Sequence, residues 1–309
     1  MKYYIGVDGG GTSTKTTIID ENGHEVAQGS AGPGSYTAIG LEYAIANILL
    51  SIDNALNDTK ITTNYIAGIA CGLASIDTLQ DHQTVYEPLQ KELVAKGFLC
   101  PIVLVNDAVI AMRAATEDKN AILLIMGTGA NCYGKNQNKQ EVWVSGLDYL
   151  LSDEAGGYSI GLKALRSAVR SADGRDQKTM LEDMVKKELG VTDIREIKDI
   201  VYKPNFKKKD VASFSTLVFK AHSSGDLTAT KIIYETVEEG MLMLVAAHKR
   251  LSINLNPFTI ILVGGVAHEK TIQSMLTSQI HKEYPQAKII FTMQKSSRGA
   301  ALLARDSCR

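Results

Sequence analysis

The sequence predicts an α/β protein of two lobes, each built on a βββαβα unit, with a central cleft. Three observations carry this. The chain has 309 residues, more than one domain usually holds. It opens as strand, glycine turn, strand, hairpin and strand: YYIGV, the turn at Gly9 to Gly11, TKTTIID, Asn22-Gly23, then EVAQGS. The same order returns at residue 121 as AILLIM, Gly127-Thr128-Gly129, ANCYG, the polar turn KNQNKQ and EVWVSG. A repeat one domain length downstream implies two lobes, read as residues 1–112 and 113–296, and ligand sites prefer the cleft between lobes.

The remaining elements follow from spacing. LEYAIANILLSIDNAL (41–56) has apolar residues at helical intervals. TNYIAGIACGLA is a buried strand running into Gly72, VYEPLQKELVAKG a helix with a glycine stop, and PIVLVND a strand ending at Asn106-Asp107, with a helix after it. The second half is mostly helical: EAGGYSIGLKALRSAVRSA, KTMLEDMVKKEL and DIREIKDIVY read as helices. YKPNFKKKD reads as a loop whose Lys207–Lys209 run is a solvated face. A long helix follows an Asp226 N-cap, with Ile233, Val237, Met241, Leu244 and a structural His248 on one face. FTIILVGGVA is a strand ending at Gly264-Gly265, with a helix from about His268. AKIIFT is the last strand, and SSRGAALLARD a terminal helix capped by Ser296 or Ser297.

Composition excludes several classes of function. Apolar residues make up 45% and charged residues 22%, close to the globular average. The net charge of -1 points to neither a nucleic-acid nor a membrane partner. Cys71, Cys100, Cys132 and Cys308 show no CxxC and no Cys/His cluster, so they read as buried free thiols rather than disulfides or zinc ligands. MKYYIGVDGG meets its glycines too early for a secretory h-region, no apolar run is long enough for a membrane span, and a cytoplasmic protein is expected. Trp143, the only tryptophan, reads as core packing.

The first glycine turn is a phosphate loop of a particular kind. A P-loop needs GxxxxGK[ST] leading into a helix, but Thr12-Ser13 stand where Lys-Ser/Thr should be, and β-branched residues follow. A Rossmann turn fails for the same reason. What remains is a turn between antiparallel strands, where the N–H groups of Gly9, Gly10 and Gly11 and the Thr12 and Ser13 hydroxyls can hold phosphate. Asp8, ending its strand, suits water-mediated Mg²⁺ binding. Gly127, Thr128 and Gly129 would grip the polyphosphate from the other lobe, and Gly264-Gly265 would accept adenosine against its backbone.

The order DGGGT, MGTGAN, VGGV resembles the nucleotide-binding signature of the actin, sugar-kinase and heat-shock-protein ATPase superfamily, over essentially the whole chain. Within it, VDGGGTSTKT, LVNDA, LIMGTGANC, LLSDEAGGYSIG and SSRGAALLA look like the N-acetylglucosamine kinase family. The resemblance implies a ribonuclease-H-like, actin-like fold, with a terminal helix at about 297–309 packed back on the first lobe. It implies ATP and Mg²⁺ as cofactors, a small-molecule sugar substrate, a homodimer, and phosphorylation of the 6-hydroxyl of an amino sugar. By the same resemblance Lys15 joins the phosphate contacts, and Val266, Ala212 and Ser213 join the adenosine contacts. Gly72, Ala130, Asn131 and Asp153 then meet the sugar, and Asp107 is the general base. From the residues alone, Asp107 is equally a helix cap, although a helix N-terminus would favour its ionised form.

Departures from the family pattern bear on the sugar. GPGSY offers Ser35 and Tyr36 where an asparagine is usual, Gly146-Leu147-Asp148 replaces Gly-Trp-Gly, and Ser152-Asp153-Glu154-Ala155 replaces GDEG. N-acetylglucosamine, glucosamine, N-acetylmuramic acid and another hexose all remain open. Two other classes compete: an ATPase activator of a dehydratase or reductase, which would hold a cluster through cysteines, and a non-catalytic sugar sensor.

Overall fold

The repeat of glycine turns is a repeat of sheet topology. The computed structural model describes residues 1–57, 59–253 and 257–308, so Arg309 at the end of the expected terminal helix lies outside the described residues. The chain forms two compact units, Met1–Glu117 with the segment from Met293 onward, and Asp118–Thr292.

The first unit contains β1 (Tyr3–Gly9), β2 (Thr14–Asp20), β3 (Glu25–Ala31), α1 (Tyr36–Ile39), α2 (Leu41–Leu56), β4 (Ile66–Leu73), α3 (Leu79–Ala95), β5 (Ile102–Asn106) and α4 (Asp107–Ala115). Its sheet has the order β3-β2-β1-β4-β5, antiparallel through β1 to β3 and parallel through β1, β4 and β5. The second unit contains β6 (Ala121–Met126), β7 (Ala130–Lys135), β8 (Glu141–Ser145), α5 (Gly157–Ala172), α6 (Met180–Leu189), α7 (Lys198–Val201), α8 (Lys208–Ser213), α9 (Ser215–Ser223), α10 (Leu227–Leu251), β9 (Thr259–Val263), α11 (Lys270–Glu283) and β10 (Lys288–Phe291). Its sheet order, β10-β9-β6-β7-β8, is the first order again with the same strand directions. The terminal helix α12 (Ser296–Asp306) belongs to the first unit.

Strand alternation assigns the two faces of the first sheet. Ile5 and Val7 pack with Ile48 and Ile52 of α2 and Leu89 and Leu93 of α3. Tyr4 packs the other way, with Ile110 of α4 and Ala300, Ala301 and Ala304 of α12. Each large aliphatic side chain buried this way contributes roughly 1.5–3 kcal/mol. Gly6 lets α12 lie directly on β1: a Cβ there would fall 2.0 Å from the Ala301 nitrogen. In the second unit, one cluster joins the β6 and β9 side chains Ile122, Leu124, Ile260 and Leu262 to Val237 and Leu244 of α10 and Leu276 of α11.

Several local expectations are corrected. Lys295, not Ser296 or Ser297, is the α12 N-cap, and the Ser297 hydroxyl is buried against Thr17 Oγ1 at 2.7 Å. DIREIKDIVY is a 3-10 turn (Ile194–Ile197) followed by the short α7, and the YKPNFKKKD loop closes into α8 at Lys208. Helix α9 had no counterpart in the sequence reading. Cys71 and Cys132 are buried, whereas Cys100 is half-buried and Cys308 exposed. Trp143 lies on the edge strand β8, so its ring leans on Tyr133 with centroids 4.5 Å apart yet stays 36% exposed instead of entering the core. His248 is structural, its ring tilted against those of Phe258 and Tyr284, and burial lowers its pKa.

Candidate functional site

The first glycine turn is fixed by backbone bonds from two other loops. Gly10 N–H closes it onto the Ser13 carbonyl at 3.0 Å. Gly34 N–H donates to the Gly10 carbonyl at 2.9 Å, and Ala74 N–H to the Gly9 carbonyl at 3.1 Å. Gly9 and Gly34 touch through their backbones: a Cβ on Gly34 would lie 2.8 Å from Gly9 Cα. The outer side of the turn is open. Gly11, Thr12 and Lys15 are exposed, and a Cβ on Gly11 would have no atom within 4 Å. Asp8 precedes the turn and pairs in register with Lys15 across the β1–β2 ladder. Burial pushes the Asp8 carboxyl up to about 6, against the pull of the Lys15 charge.

Asp107 opens α4 but does not cap it. Asn106 is the N-cap, its side-chain oxygen accepting from the Ala108 N–H at 2.9 Å. Burial pushes the Asp107 carboxyl up to about 6, and the neighbouring Asp8 charge adds to the rise. Two backbone N–H groups at the helix start oppose it, so the expected help to the ionised form exists and is outweighed by desolvation.

A third carboxylate was missed from sequence. Asp77 is pushed up to about 6 by burial and then by the charges of Asp107 and Asp81, and Asn106 donates to it at 2.9 Å. Its signal was positional. Like Asp107, it follows the carboxyl end of a parallel strand, and Asp8 lies at the end of another, where open α/β sheets place their ligands. Tyr36 is committed elsewhere, its hydroxyl donating to Asp81, and burial-assisted bonding pushes its pKa up to about 12. Ser35 is buried, with its hydroxyl 3.0 Å from Thr37 Oγ1. Gly72 is buried against Ile110, which occupies the space a side chain would need.

In the second unit the glycine turn after β6 is held in the same way. Gly127 N–H donates to the Gly129 carbonyl at 2.9 Å, while Gly157 and Tyr158 N–H groups at the start of α5 donate to the Gly127 and Thr128 carbonyls at 2.8 Å. Gly264, at φ +103°, passes so close that a Cβ would lie 2.3 Å from the Met126 carbonyl, and Val266 N–H donates to that same oxygen at 3.0 Å. Gly127, Thr128, Ala212, Ser213, Gly265 and Val266, all named from sequence, line one cavity of about 520 Å³, together with Lys209, Phe219 and Glu269.

Ala130, Asn131 and Asp153 also come together. The Ala130 N–H donates to the Asp153 carboxylate, and Asp153 presses on Gly129 so tightly that a Cβ there would lie 2.3 Å from Oδ2. Asp153 is 5% exposed, and burial raises its pKa against the Lys208 charge 3.3 Å away. Lys208 is therefore no member of a solvated face, a correction to the reading of the 207–209 run. Asn131 Oδ1 and Ser75 Oγ are buried without a partner. An unpaired buried acceptor or hydroxyl costs about 1–3 kcal/mol, which a ligand donor would recover.

The comparisons with known proteins agree with this architecture. The model of the BadF/BadG/BcrA/BcrD ATPase family matches residues 5–304. The N-acetylmuramic acid/N-acetylglucosamine kinase of Clostridium acetobutylicum is 29% identical over 309 residues, 100% of both chains. The N-acetyl-D-glucosamine kinase of Dictyostelium discoideum is 29% identical over 315 residues, 98% of each. A crystal structure from Chromobacterium violaceum, described provisionally as an N-acetylglucosamine kinase, superposes with TM-score 0.76 at 20% identity, covering 98% of this chain and 99% of that one. That likeness is one of fold, the α/β architecture of actin-like ATPases.

Proposed function

This chain belongs to the BadF/BadG/BcrA/BcrD ATPase family, and we propose that it is an ATP-dependent kinase transferring the γ-phosphoryl group to the 6-hydroxyl of an amino sugar. The observation that carries the reading is Asp107. It is a buried carboxylate just after the Asn106 N-cap, with a pKa raised to about 6. A base poised near the working pH is what proton removal from a sugar hydroxyl asks for. The names of the two full-length relatives support an amino sugar as acceptor.

In this reading Asp107 accepts the O6 proton as O6 bonds to the γ-phosphorus and the bond to the ADP oxygen breaks. The turns Gly9 to Ser13 and Gly127 to Gly129 hold the phosphates, each kept in shape by an internal bond from the Gly10 or the Gly127 N–H, with Lys15 adding positive charge. The cavity at Ala212, Ser213, Gly265 and Val266 takes adenosine, and Gly264 fixes the turn that shapes it. Asp153, Asn131 and Ala130 orient the sugar hydroxyls, whereas Tyr36, Ser35 and Gly72, taken up by Asp81, Thr37 and Ile110, are not assigned to the sugar. Mg²⁺ bound with a nucleotide needs only one or two carboxylates beside the phosphates, and Asp8 fits that role. Bound there, the ion would neutralise the charge that develops on the β- and γ-phosphates. A homodimer in the cytoplasm completes the proposal.

The activator alternative is weaker on a specific point. Cys71 and Cys132, the thiols beside the glycine turns, are fully buried. A coupled ADP-release assay across hexoses and amino sugars tests the reading. We expect kcat/KM to be highest on a 2-amino or 2-acylamino hexose; ATP hydrolysis indifferent to every sugar would overturn it.

A further inference from the structure

Lys208 is the one residue of the 207–209 run that turns inward. Lys207 and Lys209 are exposed, whereas the Lys208 side chain is 31% exposed. Its ammonium meets two carboxylates, Asp148 and Asp153, and stands 5.3 Å from the Tyr149 ring centroid. One positive charge thus faces two negative ones. The nearby Asn131 Oδ1 adds a buried acceptor with no partner, and Gly146 is so close to Asn131 that a Cβ would lie 2.6 Å from Cγ. The face around Asp153 is rich in acceptors, and its only ammonium is Lys208 among the described contacts.

We propose that Lys208 is a specificity-determining residue, setting the charge of the sugar-binding face so that a neutral 2-acylamino sugar competes with its protonated free-amine counterpart. The proposal rests on the kinase reading and on Asp153 meeting the sugar. Lys208 halves the negative charge that Asp148 and Asp153 would otherwise present. Without it, the face favours a cationic sugar and repels one carrying a carboxylate. A structural role for the same ion pair would not sort sugars by their charge.

The test is a charge series. kcat/KM is measured for glucosamine at a pH where its amine is protonated, for N-acetylglucosamine and for N-acetylmuramic acid, with a Ki replacing kcat/KM for any sugar that is not turned over. Wild type, Lys208→Gln, Lys208→Arg and Asp148→Asn are compared at low salt. In Lys208→Gln the cationic-to-neutral ratio should rise about tenfold and the anionic-to-neutral ratio fall about tenfold, as expected for one unit charge acting across several ångströms. Lys208→Arg should restore both ratios, and added salt should shrink the shifts. Asp148→Asn, a change at an exposed carboxylate, should move the ratios the opposite way, which keeps the test alive if Lys208→Gln fails to fold. Equal losses on all three sugars, or unmoved ratios, would overturn the assignment. Turnover by wild type on any of these sugars upholds the kinase reading and leaves the ratios to decide Lys208. No turnover and no sugar binding by wild type contradicts the kinase reading, and the assignment falls with it.

Discussion

The Asn106 amide donates to Asp77 Oδ1 at 2.9 Å while its own oxygen accepts from the Ala108 N–H at 2.9 Å. One side chain thereby caps α4 and steadies a buried carboxylate, so the N-cap position does not fall to the adjacent Asp107. Asn106→Ala should cost about 1–2 kcal/mol in chemical denaturation, the range of a lost N-cap. Asn106→Asp keeps a capping oxygen but adds negative charge beside Asp77, so its stability deficit should be larger at neutral than at acid pH. Equal deficits at both would show that the Asp77 contact does not matter.

The pH dependence has a definite sign. Asp8, Asp77 and Asp107 all have folded-state pKa values raised from 3.8 to about 6. The folded protein therefore holds these protons to higher pH than the unfolded chain does. The stability they contribute is full below about 3.8 and is lost as pH rises through about 6. Asp107→Asn should therefore be more stable than wild type at neutral pH, with the gap closing as pH falls from 6 towards 4. Thermal unfolding scans across that window measure it. The acid limb of kcat/KM should fall near pH 6, a value belonging to the coupled Asp8–Asp107 pair rather than to either residue.

Backbone approach, not turn geometry, makes Gly6 indispensable. An alanine methyl there would sit 2.0 Å from the Ala301 nitrogen and 2.2 Å from the Ser297 carbonyl. Gly6→Ala should destabilise by about 3 kcal/mol or more, as severe overpacking does. Gly11→Ala meets open space and should stay within about 0.5 kcal/mol of wild type. Its cost should instead fall on the KM for ATP. Urea denaturation of the two variants separates the cases.

Gly265 lines the 520 Å³ cavity, and a Cβ there would have no atom within 4 Å. Gly265→Val should fold normally and narrow the space for adenosine. We expect the KM for ATP to rise about tenfold, the loss of roughly 1.4 kcal/mol of binding, with the KM for sugar little changed. An unchanged KM for ATP would place the nucleotide elsewhere.

Much of this was legible in the sequence, for local reasons. The glycine turns are flanked by β-branched and apolar runs that fix their neighbours as strands, so both sheets follow from periodicity. Helix α2 spans Leu41–Leu56, as its apolar spacing predicts, and Asp226 caps α10 as its side chain suits. What stayed hidden depends on distant partners. Lys208 looks like part of a charged loop until Asp148 and Asp153, 60 and 55 residues away, meet it. Tyr36 offers a hydroxyl to a ligand until Asp81, 45 residues on, takes it. Asp77 has no local motif, and only the strand ends around it reveal its place. Lys295 stands at the N-cap position of α12 without a capping side-chain bond, and Ser297 is drawn inward to Thr17.

In the proposed reaction Asp107 takes a proton from a sugar 6-hydroxyl as ATP gives up its γ-phosphoryl group. Its most direct test is to incubate wild type and Asp107→Asn with Mg-ATP and N-acetylglucosamine, glucosamine or N-acetylmuramic acid, and to locate the phosphate in any product by phosphorus–proton correlation NMR. Wild type should place the phosphate on O6. Asp107→Asn should make the same product slower by about 10²–10⁴, the usual contribution of a general base, while binding ATP within about twofold of wild type. Phosphate on another oxygen, or wild-type turnover by Asp107→Asn, would contradict the proposed reaction.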